Sequence, residues 1–306
     1  YEIADRDWSS DVCSSDLMMV GLTACGGGGG GSGVAGSQPD TSLSALNAVP
    51  EAYRAQVRQA KTWQFEMENE HSIFTAELFD KAYGNKDAEI DLSGLPLGLN
   101  DYPYKDTEKA KRPFTMDTVF GEQKLKTGDV VTTDGVFRVY QQPYSIVVGN
   151  YTTGLQLNDN PRKAWADADA DFLITDILGL ATTQEAVDAL NIQATYRGEA
   201  FTAKDRGELV YQVDFKARNG SGEITGLDQF GRIALEKGDI ATMPEWLDMK
   251  NVVGISAAAT SEKQGKAGYT LMFAGPKAEE ISGMVQANPE WQRKRDEGII
   301  GLGGKR

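Results

Sequence analysis

From Ile192 to the end of the chain, apolar and polar residues alternate with a period of two in one short run after another. Leu209, Tyr211, Val213 and Phe215 alternate with Val210, Gln212, Asp214 and Lys216, and Tyr269, Leu271 and Phe273 repeat the device further on. Successive side chains of a strand point to opposite faces, so each run turns one apolar face inward and one mostly polar face to water. The runs cover 193–201, 207–217, 221–228, 232–240, 251–262, 267–276, 281–288 and 298–306, with turn-forming residues between them. Consecutive strands of this kind predict a closed, eight-stranded antiparallel up-and-down barrel. Closure leaves no unpaired strand edge.

Upstream the pattern is mixed. Tyr53, Val57 and Ala60, then Phe74, Leu78 and Ala82, recur at helical spacing and predict two short helices between Asn47 and about Tyr83. Gly94, Pro96, Gly98 and Pro103 read as loop. From Pro113 short strands take over, with turns at 126–129 and 133–135 and an antiparallel pair formed by 136–140 and 144–151. Asn158-Asp159-Asn160 before Pro161 predicts another turn, and 182–190, with Ala186, Val187 and Leu190 on one face, a short helix between two domains. The fold class is therefore mainly β, in two β-barrel-like domains. Residues 42–190 form the more open one, with short helices, and 191–306 form the eight-stranded barrel.

The start of the chain carries a different signal. Leu22-Thr23-Ala24-Cys25, followed by the glycines 26–31, has the form of a bacterial lipobox. Small residues at Thr23 and Ala24 let the backbone lie in a peptidase cleft, and the Cys25 thiol takes the lipid. Residues 25–41 are then a lipidated cysteine on a flexible, glycine-rich tether. Each buried methylene contributes about 0.8 kcal/mol, so a three-chain anchor is effectively permanent. A secretory signal needs a basic start and an apolar run of about 7–15 residues, so 18–24 reads as a truncated remnant. Residues 7–17 have the form of a translated sequencing adapter, and 1–17 are left out of the fold and function reading. The expected location is the outer membrane at the cell surface, lipid-anchored, because Gly26 rather than aspartate follows the cysteine, an expectation carried over from lipoprotein families.

No other segment has the 18 or more consecutive apolar residues that span a bilayer, which leaves the lipid as the anchor. The net charge of −14 argues against a nucleic-acid partner and against lying flat on anionic lipid. With Cys13 in the excluded leader and Cys25 lipidated, no cysteine remains for disulfides, zinc or thiol catalysis. Asp167, Asp169 and Asp171 alternate as at the start of a calcium loop, but Phe172 and Leu178 stand where glycine and glutamate are required. A serine triad would have to use His71, the one histidine, and no G-x-S-x-G elbow accompanies any serine. The chain is expected to be no enzyme and to carry no cofactor.

Motifs in order then carry a resemblance. Ala194 to Phe201, Tyr211-Gln212-Val213-Asp214-Phe215 with Gly220-Ser221-Gly222, Gly268-Tyr269-Thr270-Leu271, Gly275 to Gly283 and the closing 298–306 resemble the factor H binding protein family of Neisseria-type surface lipoproteins. Upstream, Lys81 to Asn85 and Phe137 to Gln142 are similar to that family's amino-terminal domain. The resemblance implies two β-rich domains displayed outside the cell. It implies recognition of a host protein, complement factor H above all, for evasion of complement, by a monomer and through a few central side chains.

Members that bind factor H use acidic side chains on the carboxy-terminal barrel; the matching places here hold Phe230 and Gly265, with Asp228 and Glu262 close by. Candidate partner-binding residues are thus Asp228, Phe230, Glu262 and Trp246. Trp165, Trp246 and Trp291 lie in or beside expected loops, where covering the open ends of the barrels is the preferred role and anchoring an interface the alternative; of the three, 243–247 is the one best suited to face a partner because it interrupts strands with a loop of its own. The barrel also resembles those of transferrin-binding lipoproteins and of haem-scavenging proteins. That keeps nutrient binding as the alternative, with haem as cofactor and His71 as its axial ligand.

Overall fold

The computed structural model describes residues 44–66, 87–105, 118–120, 123–126, 128–129, 131–158, 160–161, 163–164, 172–247, 249–286 and 298–306. A 3-10 turn (Ala45–Ala48) leads through Pro50 into helix α1 (Glu51–Ala60). Glu51 in its first turn and Arg58 in its last oppose the ends of the helix dipole. Val57, predicted to face inward, is fully buried. The second expected helix, with Phe74, Leu78 and Ala82, lies outside the described residues, as do Asp167, Asp169 and Asp171.

Strands β1 (Thr62–Glu66) and β2 (Asp87–Asp91) pair as a two-stranded sheet. Next come β3 (Gly98–Lys105), the small hairpin of β4 (Thr118–Phe120) and β5 (Gln123–Leu125), β6 (Val131–Gln141), β7 (Ser145–Leu157), β8 (Lys163–Ala164) and β9 (Leu173–Gly179). The main amino-terminal sheet has the order β3-β6-β7-β8, with β9 also pairing β7. The β6–β7 pair matches expectation, Val136 lying opposite Tyr151.

Two expected irregularities prove to be strand. Pro103, read as loop, sits within β3 opposite Val136. Proline has no N–H to give a ladder, but β3 ends the strand order and needs pairing on one side only. Thr133-Asp134-Gly135, read as a turn, runs through β6, where the pairing with β7 shifts register between Asp134 and Gly135. The turn residues are absorbed as a bulge.

Helix α2 (Gln184–Asp188) is capped by Thr183, whose hydroxyl accepts from Ala186 N at 3.2 Å. The barrel then follows: β10 (Gln193–Phe201), β11 (Arg206–Asp214), β12 (Asn219–Leu227), β13 (Gly231–Trp246), β14 (Met249–Ser261), β15 (Gly265–Ala274), β16 (Glu280–Gln286) and β17 (Gly298–Lys305). Each pairs with the next antiparallel, and β17 returns to β10, Gly303 opposite Glu199, to close the barrel. The eight-stranded expectation holds, with boundaries shifted by a few residues. The segment 243–247 is the exception: it continues β13 in a long hairpin with β14, Trp246 opposite Met249, instead of forming a loop. Pairing with β12 ends at Asp239 opposite Asn219, so β13 is single-sided there and tolerates Pro244.

Tyr196, Leu209, Tyr211, Val213, Tyr269, Leu271 and Phe273 belong to the barrel interior, as the alternation predicts. On β11 the intervening residues are exposed or half-buried, so that face meets water. On β15 and β16 the intervening residues are buried as well: Met272, Ala274 and Met284 join a second cluster with Tyr140, Tyr144, Val147, Phe172, Ile174 and Ile177 of the amino-terminal sheet. The sheet thus covers one side of the barrel. Its other face holds a third cluster of Trp63, Leu92, Leu95, Phe137, Val139, Ile146 and Val148.

Candidate protein-binding surface

The exposed candidate residues sit on two turns at one end of the barrel. The β12–β13 turn, 228–230, closes with Phe230 N donating to Leu227 O at 3.0 Å, and Gly231 follows at φ 67°, a left-handed value that suits glycine. The β14–β15 turn, 262–264, is organised by Ser261, whose hydroxyl accepts from Gln264 N at 3.0 Å. The two turns are bonded to each other. Ser261 Oγ donates to Phe230 O at 2.6 Å, Lys263 Nζ to Asp228 O at 2.6 Å, and Gln264 Nε2 to Gln229 O at 3.2 Å. Asp228 and Glu262, separated by 34 residues in sequence, therefore project from one stapled platform.

Asp228 and Glu262 are both exposed. Glu262 accepts from Arg232 N at 3.2 Å, and the Arg232 guanidinium pairs with Glu223 at 2.7 Å. Glu223 holds that guanidinium further above its ordinary value, with Glu262 adding to the effect. The platform mixes acidic side chains with Arg232 and Lys263, a surface suited to charge-matched contact with another protein.

Phe230 does not belong to it as expected. Its side chain is 5% exposed and lies in the barrel core, because the turn that lifts Asp228 and Gln229 into water points the next residue inward. Trp246 is also placed differently from expectation. It is half-buried against the cluster between sheet and barrel, with its indole Nε1 buried and without a hydrogen-bond partner among the described residues. Gly265 begins β15 at φ 79°, facing open space. Cys25, His71, Trp165 and Trp291 lie outside the described residues.

The barrel interior is occupied by its own side chains. Tyr211 and Tyr269 share a hydrogen bond at 2.8 Å, and Tyr269 donates on to Glu236 O at 2.7 Å. Burial pushes the Tyr269 phenol up to about 12 and Tyr211 higher still. The lumen is thus filled by aromatic and aliphatic side chains of the barrel itself.

A second constellation escaped the sequence reading. The turn between β6 and β7 is buried, and two ionisable side chains serve its backbone. Lys61, fully buried at the end of α1, donates to Gln141 Oε1 at 3.3 Å, Gln142 O at 2.5 Å and Pro143 O at 2.9 Å. Glu280, 2% exposed on β16, accepts from Tyr144 N at 3.0 Å and Ser145 Oγ at 2.8 Å. Burial lowers Lys61 to about 7 against the pull of Glu280 and Asp91, and raises Glu280 to about 7 against the hydrogen bonds it receives. Neither position is distinguished in the sequence: Glu279 and Glu280 are adjacent, and only the fold buries the second.

Residues 189–285 match the family model described as "Factor H binding protein, C-terminal". This region is similar to the carboxy-terminal domain of the factor H binding protein family. The family match runs from the residues before β10 to the penultimate residue of β16, and so takes in both turns of the platform. Among solved structures, the chain is similar to transferrin binding protein B from serogroup B Neisseria meningitidis. The two share 16% identity over 72% of this chain and 45% of that one, with a TM-score of 0.33. It is also similar to transferrin binding protein B from Haemophilus parasuis Hp5, at 14% identity over 72% of this chain and 39% of that one, TM-score 0.36. The chain spans less than half the length of these structures.

Proposed function

We propose that this chain is a surface lipoprotein, anchored in the outer membrane through Cys25, that recognises a host protein through the outer face of its carboxy-terminal barrel, and that the host protein is complement factor H. The observation that carries the reading is the family match over 189–285, which spans the platform of Asp228 and Glu262. The architecture supports it. The lumen is packed with aromatic and aliphatic side chains, while the exposed charges are on the turns and on the strands the sheet leaves uncovered. Recognition of this kind needs no chemistry of bond making, and a few desolvated side chains carry most of its energy.

The test is biosensor binding of the purified protein to factor H from several hosts, with Asp228→Ala and Glu262→Ala as variants. Saturable binding that weakens in both variants supports the reading, while their unchanged unfolding midpoints show that the barrel is intact. Absence of binding to factor H from every host tested overturns the assignment of the partner. Binding that neither variant alters moves the interface away from the platform.

A further inference from the structure

The 142–145 turn is a contact that neither half of the molecule completes by itself. Its carbonyl side is served by the end of α1: Lys61 Nζ donates to Gln142 O at 2.5 Å and to Pro143 O at 2.9 Å, with Gln141 Oε1 as a third acceptor at 3.3 Å. Its N–H side is served by the barrel. Glu280 accepts from Tyr144 N at 3.0 Å and Ser145 Oγ at 2.8 Å, and Gln142 Nε2 donates to Ile281 O and Ser282 Oγ at 3.0 Å each. The Pro143 carbonyl and the Tyr144 N–H belong to one peptide group. A single peptide dipole therefore lies between an ammonium and a carboxylate, each at the end it stabilises. Lys305, the cross-strand partner of Glu280 on β17, is exposed and adds positive charge on the barrel side, in keeping with a carboxylate there.

Helix α1 is otherwise weakly attached. Of its ten residues Val57 alone is buried, and a helix of this length is marginal in water without packing. The segment before it is bonded to the β2–β3 connection through Ala45 N to Leu95 O and Leu46 N to Ser93 O, at 3.2 Å each, and Leu92 N donates to Lys61 O at 3.1 Å just after it. If α1 lifts, the Gln142 and Pro143 carbonyls lose the ammonium that donates to them. Buried carbonyls without a donor are costly, and the turn avoids that cost by opening to water. The halves stay joined meanwhile, because a second fastening lies at the other end of β17, where Gly301 pairs with Phe201 as Lys305 pairs with Glu280. There Arg138 of β6 forks onto Asp101 at 2.7 and 2.8 Å and donates to Thr202 O and Ala203 O at 2.8 and 2.6 Å.

We propose that residues 45–61 form a clasp: α1 carries the Lys61 ammonium onto the 142–145 turn and so locks the amino-terminal sheet to the barrel at this end, and release of the helix opens this end alone. Met272 and Ala274, the β15 partners of Ser282 and Glu280, are the apolar surface that the closed clasp keeps from water. The clasp thereby sets whether the molecule is one rigid body or a barrel with a partly lifted sheet.

The experiment is native-state hydrogen exchange followed by NMR on the whole protein, in increasing urea below the unfolding transition. The amides of Lys61, Leu92 and Tyr144 are expected to exchange through one shared opening, with a weaker urea dependence and at least about tenfold less protection than Tyr211 and Leu271 of the barrel and Val139 of the sheet. A Tyr144 amide that follows the urea dependence of Tyr211, or that exchanges independently of Leu92, overturns the clasp. In Lys61→Ala, Tyr144 protection is expected to fall about tenfold or more. Excess methylammonium chloride is expected to restore part of it by filling the vacated ammonium position, whereas sodium chloride at the same concentration does not. Lys61→Met, which keeps the stem without the charge, is expected to show the loss and no restoration. Failure of methylammonium to restore protection in Lys61→Ala overturns the role of the ammonium and with it the clasp. If Lys61→Ala does not fold, the urea dependences in the wild type decide.

Discussion

Individual residues on β17 show how closely the two halves approach. A Cβ at Gly303 would come within 2.7 Å of the Tyr140 ring and 3.0 Å of Gln142 Nε2, and one at Gly301 within 2.4 Å of the Phe201 ring. These glycines present bare backbone to the amino-terminal sheet, while Ile300 and Leu302 between them fill the lumen. Gly303→Val should therefore destabilise the protein by about 1–3 kcal/mol in urea unfolding, through overpacking of the interface. The tyrosine pair allows a finer test. Tyr211→Phe leaves Tyr269 bonded to Glu236 O and should cost about 1 kcal/mol, whereas Tyr269→Phe strands both Glu236 O and the Tyr211 hydroxyl and should cost about 2 kcal/mol. Equal losses in the same urea titration would show that the chain of bonds is not used as drawn. The interior placement of both tyrosines was legible from alternation alone. The burial of Lys61 and Glu280 was not, because residue type predicts exposure for both and only the assembled turn supplies their partners.

Among the elements, those with one wet face were the most legible. β11 alternates cleanly because its outer face meets water, and its residues announce the period. β3 and the 243–247 segment were misread because proline and glycine usually punctuate strands, yet each strand is paired on one side only at its proline. The two turns of the platform were found by resemblance, and their hydrogen bonds to one another depend on β13 and β14 being neighbours around the barrel. Helix α2 is short enough that its cap matters. Thr183→Ala removes the acceptor for Ala186 N and should lower stability by about 1 kcal/mol, measured as a shift in the urea midpoint at unchanged slope. A change in slope would indicate that the loss extends beyond the helix to the barrel end that Val187 helps to fill.

At the scale of the whole molecule, the buried cluster at 142–145 couples the end of α1, the sheet and the barrel. Lys61→Met strands the carbonyls of Gln142 and Pro143 and leaves Glu280 without its counter-charge, so it should cost about 2–4 kcal/mol at pH 7. Adding Glu280→Gln to that variant removes the uncompensated charge while keeping an oxygen that can accept from Tyr144 N. The double variant should therefore be no less stable than Lys61→Met alone, a departure from additivity of at least about 1 kcal/mol. Urea unfolding of the wild type and the three variants measures it. Losses that simply add would mean that the two groups serve the turn independently, each through its own hydrogen bonds. Rescue in the double variant would mean that their charges answer one another across the junction, so that the end of α1 and the barrel are held to the turn as one unit.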